Sequence, residues 1–297
     1  MNVMIRIAHS GFLAAFALAA AFAAVPCALG ADDPFETLQE AVANRYDLDE
    51  AGLKRAAAYV ESPELVKTLD AAARNHIVRT KFEAVIEPPF DFSVETRAIP
   101  NDFGPFARAG MEGYRGQLEI LLRDISKATT LLPNLLRTNV LKTRYAGTVK
   151  TEKDRTVIRL EKKKSDDRPS RRGRKTQRPA DDYDTITVTL GKDRLLETVE
   201  LGNTSGRTVI RTECQKIDKM WDFRQVDVAK YDDRERFDER MVLVVNRVNA
   251  GGIALPASFV VTRLDEKGSP LIRRNEPNPV TLRLKDHQVE VKKDAKK

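Results

Sequence analysis

Hydrophobic residues recur at two different spacings along the chain, and the change falls close to Lys142. Before it, the spacing is that of amphipathic helices. Asp33-Pro34-Phe35-Glu36 has an Asp N-cap, proline at the first helical position and an acidic first turn, predicting a helix to about Ala43. Ser62-Pro63-Glu64 repeats the signal, and Leu65, Leu69, Ala72 and His76 then follow at three- and four-residue intervals, predicting a second helix to about Lys81. A third is expected from Phe106 to Leu131, with Leu118, Leu121, Leu122, Ile125 and Thr129 as its stripe. The stretch between Pro88 and Asn101 reads as irregular, with Val94 and Thr96 in a short strand.

After Lys142 the period becomes two. Ile186, Val188 and Leu190 alternate with Thr185, Thr187 and Thr189, and Thr156, Ile158 and Leu160 alternate with Val157, Arg159 and Glu161. Further strands are legible at 195–201, 207–214, 241–248, 253–264 and 280–284, separated by turn residues at 202–206, 249–252 and 266–268. The predicted fold is α+β: an N-terminal helical region, 31–141, and a C-terminal curved antiparallel β-sheet, 142–291, forming a half-barrel of about seven to eight strands.

The first thirty residues change the expected compartment. Arg6 precedes an uncharged run from Gly11 to Val25, about 15 residues long where a spanning helix needs roughly 20, and Ala28-Leu29-Gly30 supplies a small-residue site. This predicts a secretory signal peptide, 1–30, and a soluble protein in the periplasm or outside the cell. Cys27 would leave with it, so that Cys214 remains as the single thiol and a body of about 265 residues depends on its core rather than on disulfides.

Formal net charge is +7. A predicted disordered hairpin insertion, 162–182, is strongly basic from Lys162 to Arg178, where Lys162, Lys163, Lys164, Arg168, Arg171, Arg172, Arg174, Lys175 and Arg178 stand against only Asp166 and Asp167, a surplus equal to the charge of the whole chain. Another basic run is the tail 292–297. The body therefore lacks the cationic surplus that a polyanion-binding surface needs, which argues against nucleic acid. A solvated loop accounts for the insertion, and contact with an anionic membrane surface is its functional alternative.

The chemistry of the remaining residues is sparse. His76 lies on the apolar face of a helix and His287 in a polar turn, which offers no zinc-ligand spacing. Cys214 alternates with Thr212 and Ile210 and reads as a buried thiol with no base beside it. Gly202-Asn203-Thr204-Ser205-Gly206 joins two strands and is a turn, not a nucleophile elbow. Asp232, Asp233, Glu235, Asp238 and Glu239 are interleaved with Arg234, Arg236 and Arg240, a self-neutralised surface. The expectation is a non-enzymatic protein with no catalytic residue, no metal and no cofactor.

The block Arg240–Asp265, with Gly251-Gly252-Ile253-Ala254-Leu255-Pro256 at its centre and Lys219–Tyr231 before it, resembles the half-barrel of periplasmic lipoprotein-localisation carriers and related outer-membrane lipoprotein-sorting proteins. The resemblance covers roughly Arg144 to Val291 and implies a hydrophobic ligand or lipoprotein as partner. A curved sheet loosely covered by helices leaves an apolar pocket between the layers. Met241, Leu243 and Val245 alternate with Val242, Val244 and Asn246 on a strand apolar on both faces, and Trp221 and Phe223 share one face. Trp221, Phe223, Ile210, Leu243 and Val245 are the expected lining. The same residues serve equally as ordinary core. The alternative function is an envelope scaffold docking on anionic surfaces through the basic loop.

Overall fold

The computed structural model describes residues 33–43, 45–69, 71–77, 80–88, 91–96, 104–136, 138–163, 183–217, 219–272 and 277–292. The first thirty residues, expected to be a signal peptide, most of the basic insertion and the tail beyond Lys292 lie outside them. From Asp33 onward the chain forms one compact unit.

In chain order, helix α1 (Pro34–Ala43) is followed by strand β1 (Leu53–Glu61), two short helices α2 (Pro63–Lys67) and α3 (Ala71–Ile77), strands β2 (Phe82–Glu87) and β3 (Asp91–Thr96), the long helix α4 (Pro105–Leu135) and α5 (Thr138–Arg144). Among the described residues nine strands follow: β4 (Tyr145–Glu152), β5 (Arg155–Lys162), β6 (Thr185–Leu190), β7 (Leu196–Asn203), β8 (Gly206–Ile217), β9 (Met220–Asp232), β10 (Phe237–Ala250), β11 (Ile253–Leu264) and β12 (Val280–Val291). All twelve belong to one antiparallel sheet in the order β3-β2-β1-β12-β11-β10-β9-β8-β7-β6-β5-β4. Its edges, β3 and β4, are far apart in that order, so the sheet is open.

Twelve strands exceed the seven or eight expected; β1 and β2 are additional ones within the 31–141 region read as helical, and β3 stands where the short strand at Val94 and Thr96 was expected. Strand β1 carries Ala56-Ala57-Ala58, whose residues have the highest intrinsic helix propensity. Pairing on both sides overrides it: Ala56 opposes Val289 of β12 and Ile86 of β2, and Ala58 opposes Ala84. The last strand thus receives the first, and β1–β3 extend the C-terminal sheet instead of forming a separate layer. The helix expected from Ser62 to Lys81 is broken in two. Ser62 does cap it, accepting a hydrogen bond from the Leu65 amide at 3.4 Å. At Thr68 the backbone amide turns back to Leu65 and Val66, and the hydroxyl donates to the Leu65 carbonyl at 2.7 Å, closing the first helix.

Helix α4 organises the covered face. Its residues Met111, Tyr114, Leu118, Leu122 and Ile125 pack in a cluster with β1, β2 and β10–β12, where Phe82 and Tyr114 meet edge to face at 5.3 Å. Leu132 enters a second cluster with α1, α5 and β5–β9. At Gly147 a Cβ would lie 2.8 Å from Pro34, so glycine lets α1 sit directly on the sheet.

The two clusters lie on either side of the β9–β10 junction, and at one end of that junction the sheet divides. β9 and β10 pair from Tyr231/Phe237 to Gln225/Val244. Beyond that point β10 continues with β11 as far as Ala250/Ile253, while Arg45 forms a parallel bridge with Trp221 on β9. Tyr46 spans the opening: its amide donates to the Trp221 carbonyl at 2.7 Å and its hydroxyl accepts from the Ala254 amide at 2.8 Å. Beside it Asp222 lies between Arg45, at 3.5 Å, and Arg247, with side-chain exposures of 3%, 16% and 9% respectively. Burial draws the Arg247 guanidinium below its ordinary value, opposed by Asp222.

Candidate functional site

Two spaces lie along one flank of α4, at the end of the sheet opposite the Arg45 wedge. The larger, about 760 Å³, is bounded by Asp124, Lys127, Ala128 and Leu135 of α4, by α5, and by the ends of β4, β6, β9, β10 and β11. The smaller, about 260 Å³, lies between Gln117, Ile120 and Leu121 of α4, Leu65 of α2, and β11 and β12. Arg263 lines both. From Gln117 to Leu135 the flank is about 27 Å long at roughly 1.5 Å rise per residue. Ligand pockets span roughly 300 to 1,000 Å³, so the larger space alone is of ligand size.

Its floor is apolar and its rim charged. Val228 and Met241, cross-strand partners on β9 and β10, lie in the floor with Ile186 and Leu141. Among the described residues Lys127, Arg144, Lys230 and Arg263 contribute four cations against the carboxylates of Asp124 and Glu239, and Lys230 approaches Glu239 at 3.5 Å. Tyr145 donates its hydroxyl hydrogen to the Tyr183 carbonyl at 2.8 Å, tying the wall together. Two large hydrophobic residues at these spaces remain in contact with water: Ile120, 49% exposed, at the smaller and Val140, 51% exposed, at the larger.

The expected lining residues occupy the covered face but lie deeper along their strands. Leu243 and Val245 share the face of Met241 two and four residues further on and are fully packed in the α4 cluster. Ile210 opposes Val228 across β8 and β9 and is likewise buried. Trp221 and Phe223 meet edge to face at 5.4 Å in the second cluster, where the Trp221 indole donates to the Ala41 carbonyl at 3.2 Å. The crevice beside them holds only about 10 Å³, at the threshold for one water molecule. The sequence pattern identifies the face; it did not single out Lys127, Leu135, Val140, Tyr145 or Tyr183, because the depth at which packing stops depends on the path of α4.

Of the residues expected to meet an anionic surface, Lys162 and Lys163 are described. The Lys163 amide donates to the Arg144 carbonyl at 2.9 Å and its ammonium to the Lys142 carbonyl at 2.8 Å, placing the start of the insertion against the cavity wall. The chain re-enters at Tyr183, itself a wall residue. Lys164, Arg168, Arg171, Arg172, Arg174, Lys175 and Arg178 lie outside the described residues.

The other candidate groups are dispersed. Cys214 is half-buried on β8, its thiol 3.6 Å from the Leu196 carbonyl, and burial pushes it up to about 11. His287 Nε2 is 2.8 Å from the Pro256 carbonyl on the sheet, whereas His76 is in α3. Three of the five acidic residues around the β9–β10 turn form ion pairs: Asp232 with Arg236, Glu235 with Arg207, and Glu239 with Lys230. The hydrogen bond from Arg236 leads in holding the Asp232 carboxyl below its usual range. Gly206 is a structural turn residue, since at its φ of +139° a Cβ would strike the Tyr231 carbonyl. Among the described residues no cluster of three His, Cys, Asp or Glu side chains is placed to hold a metal, and no helix is long and apolar enough to cross a membrane.

Compared with protein-family models, curated proteins and solved structures, the chain matches none. What defines it is an open twelve-stranded sheet with a long helix along one face and a ligand-sized space between them.

Proposed function

We propose that this is an exported, non-catalytic binding protein for a hydrophobic or lipid-bearing ligand, with the sheet acting as a half-barrel and α4 as its cover. The observation that carries the reading is the 760 Å³ space with an apolar floor at the seam of the two core clusters. Each methylene removed from water contributes roughly 0.8 kcal/mol, so an acyl chain binds there without needing a polar anchor. Export follows from the charged start, apolar run and small-residue site of the first thirty residues. Carriage of lipids or lipoproteins through a cell envelope is the role that this chemistry and the resemblance favour together.

Organic extraction and mass spectrometry of the protein purified without detergent from the cells that make it tests the reading. A stoichiometric long-chain compound is expected. A protein that emerges empty and takes up no fluorescent fatty-acid probe would overturn it.

The position of Lys163 at the cavity wall also favours a second role, docking on anionic surfaces through the basic insertion. Deleting residues 164–178 would then abolish binding to phosphatidylglycerol vesicles, a binding that itself weakens steeply with salt, and leave fatty-acid uptake intact. Vesicle binding unchanged by the deletion would exclude the docking role.

A further inference from the structure

Building on the binding reading above, we propose that the ligand is an anionic long-chain amphiphile, its carboxylate or phosphate head among the cations of the larger space and its chain along α4 into the smaller one. The two spaces differ in chemistry in a way that sets this direction. Among the described residues the larger carries Lys127, Arg144, Lys230 and Arg263 against two carboxylates, one of which, Glu239, already has Lys230 beside it. In the smaller, Leu65, Ile120, Leu121, Val261 and Val280 dominate, and among the described residues Arg263 is the only charged one in the lining.

An excess of cations over a low-dielectric floor attracts an anion and disfavours a cationic head. With a head bound there through charge-assisted hydrogen bonds, the proposed path of the chain runs along α4 past Arg263 toward Leu121. Arg263 lines both spaces and so stands where the head meets the chain. Half-exposed Ile120 at the far end is the contact that the last methylenes would cover.

Equilibrium dialysis with three ligands of one chain length tests the proposal: oleate, oleoyl lysophosphatidate and oleyl alcohol. At least one of the two anions binds about 10-fold more tightly than the alcohol in low salt, and the tighter of the two identifies the head group. Lys127 is exposed on the helix, so Lys127→Glu leaves folding intact and brings the anion-to-alcohol ratio toward one. In the smaller space, Leu121→Trp weakens oleate binding selectively relative to decanoate. Equal binding of anions and alcohol, or a ratio indifferent to Lys127→Glu, overturns the proposal while leaving a hydrophobic binder in place. Oleate and decanoate affected alike by Leu121→Trp would overturn the chain direction. If none of the three ligands binds, this proposal and the binding function fall together.

Discussion

Replacing Asp222 with alanine removes the carboxylate that pairs with both Arg45 and Arg247 where the sheet divides. Arg247 has nowhere to go: its side chain is 9% exposed and donates to the Ala254 carbonyl at 3.4 Å, so losing Asp222 leaves its charge in a dry site. Arg45, at 16%, is closer to water and stacks over the Phe223 ring at 4.8 Å, so it can relax in part. Removing one partner of a buried pair typically costs about 3 to 5 kcal/mol, and partial relaxation of Arg45 places the expected loss toward the lower end of that range. Urea unfolding measures it. As a control, Glu290→Ala removes an exposed bridge to Lys54 at 3.3 Å and should cost less than about 1 kcal/mol. Combined replacement of Arg45 and Arg247 by methionine and Asp222 by leucine should recover most of the loss, because the penalty comes from uncompensated charge and not from missing volume. An Asp222→Ala protein within about 1 kcal/mol of the parent would refute the reasoning, since breaking a dry, paired site has to cost more than that.

Two further outcomes follow from burial. Burial pushes the Tyr114 phenol up to about 12, and its oxygen accepts from the Ser62 amide at 2.9 Å. The unfolded phenol ionises near its ordinary value and so loses its proton first; stability therefore falls as pH rises from about 10 to about 12. Tyr114→Phe removes that segment of the pH profile and costs about 1 to 3 kcal/mol at neutral pH by leaving the Ser62 amide unsatisfied, both readable by thermal unfolding. Cys214, raised from 9.0 to about 11, carries about 100-fold less thiolate at pH 8 than an ordinary thiol, so its alkylation by iodoacetamide should be slower than that of a cysteine peptide by a comparable factor, accelerating on unfolding.

The two hydrophobic rhythms carried most of the architecture. Thr185–Leu190 alternates cleanly and is a strand with Ile186, Val188 and Leu190 buried, and Leu118, Leu122 and Ile125 do form the buried stripe of α4. What the rhythm could not carry was context. Ala56-Ala57-Ala58 has no contrast between faces to read, yet pairing on both sides makes it a central strand. Lys81 was the expected end of a helix that Thr68 closes early through its own hydroxyl. At the site, Trp221 and Phe223 looked like walls because they are large and share a face; α1 fills the space beside them, and the open volume lies at the other end of the same strands. Strand periodicity encodes which side of the sheet a residue faces, whereas the distance along the strand at which cover gives out is decided by α4 and α5, elements remote in sequence.

The account stands or falls on whether a long-chain ligand enters the space between α4 and the sheet. Methyl NMR of the methionines reads this directly, because Met241 lies in the floor of that space while Met220 sits at the opposite end of β9. Titrating oleate into the protein should shift the Met241 resonance in a saturable manner and leave Met220 in place. A Met241 resonance unmoved at saturating oleate, or a shift confined to Met220, would contradict it.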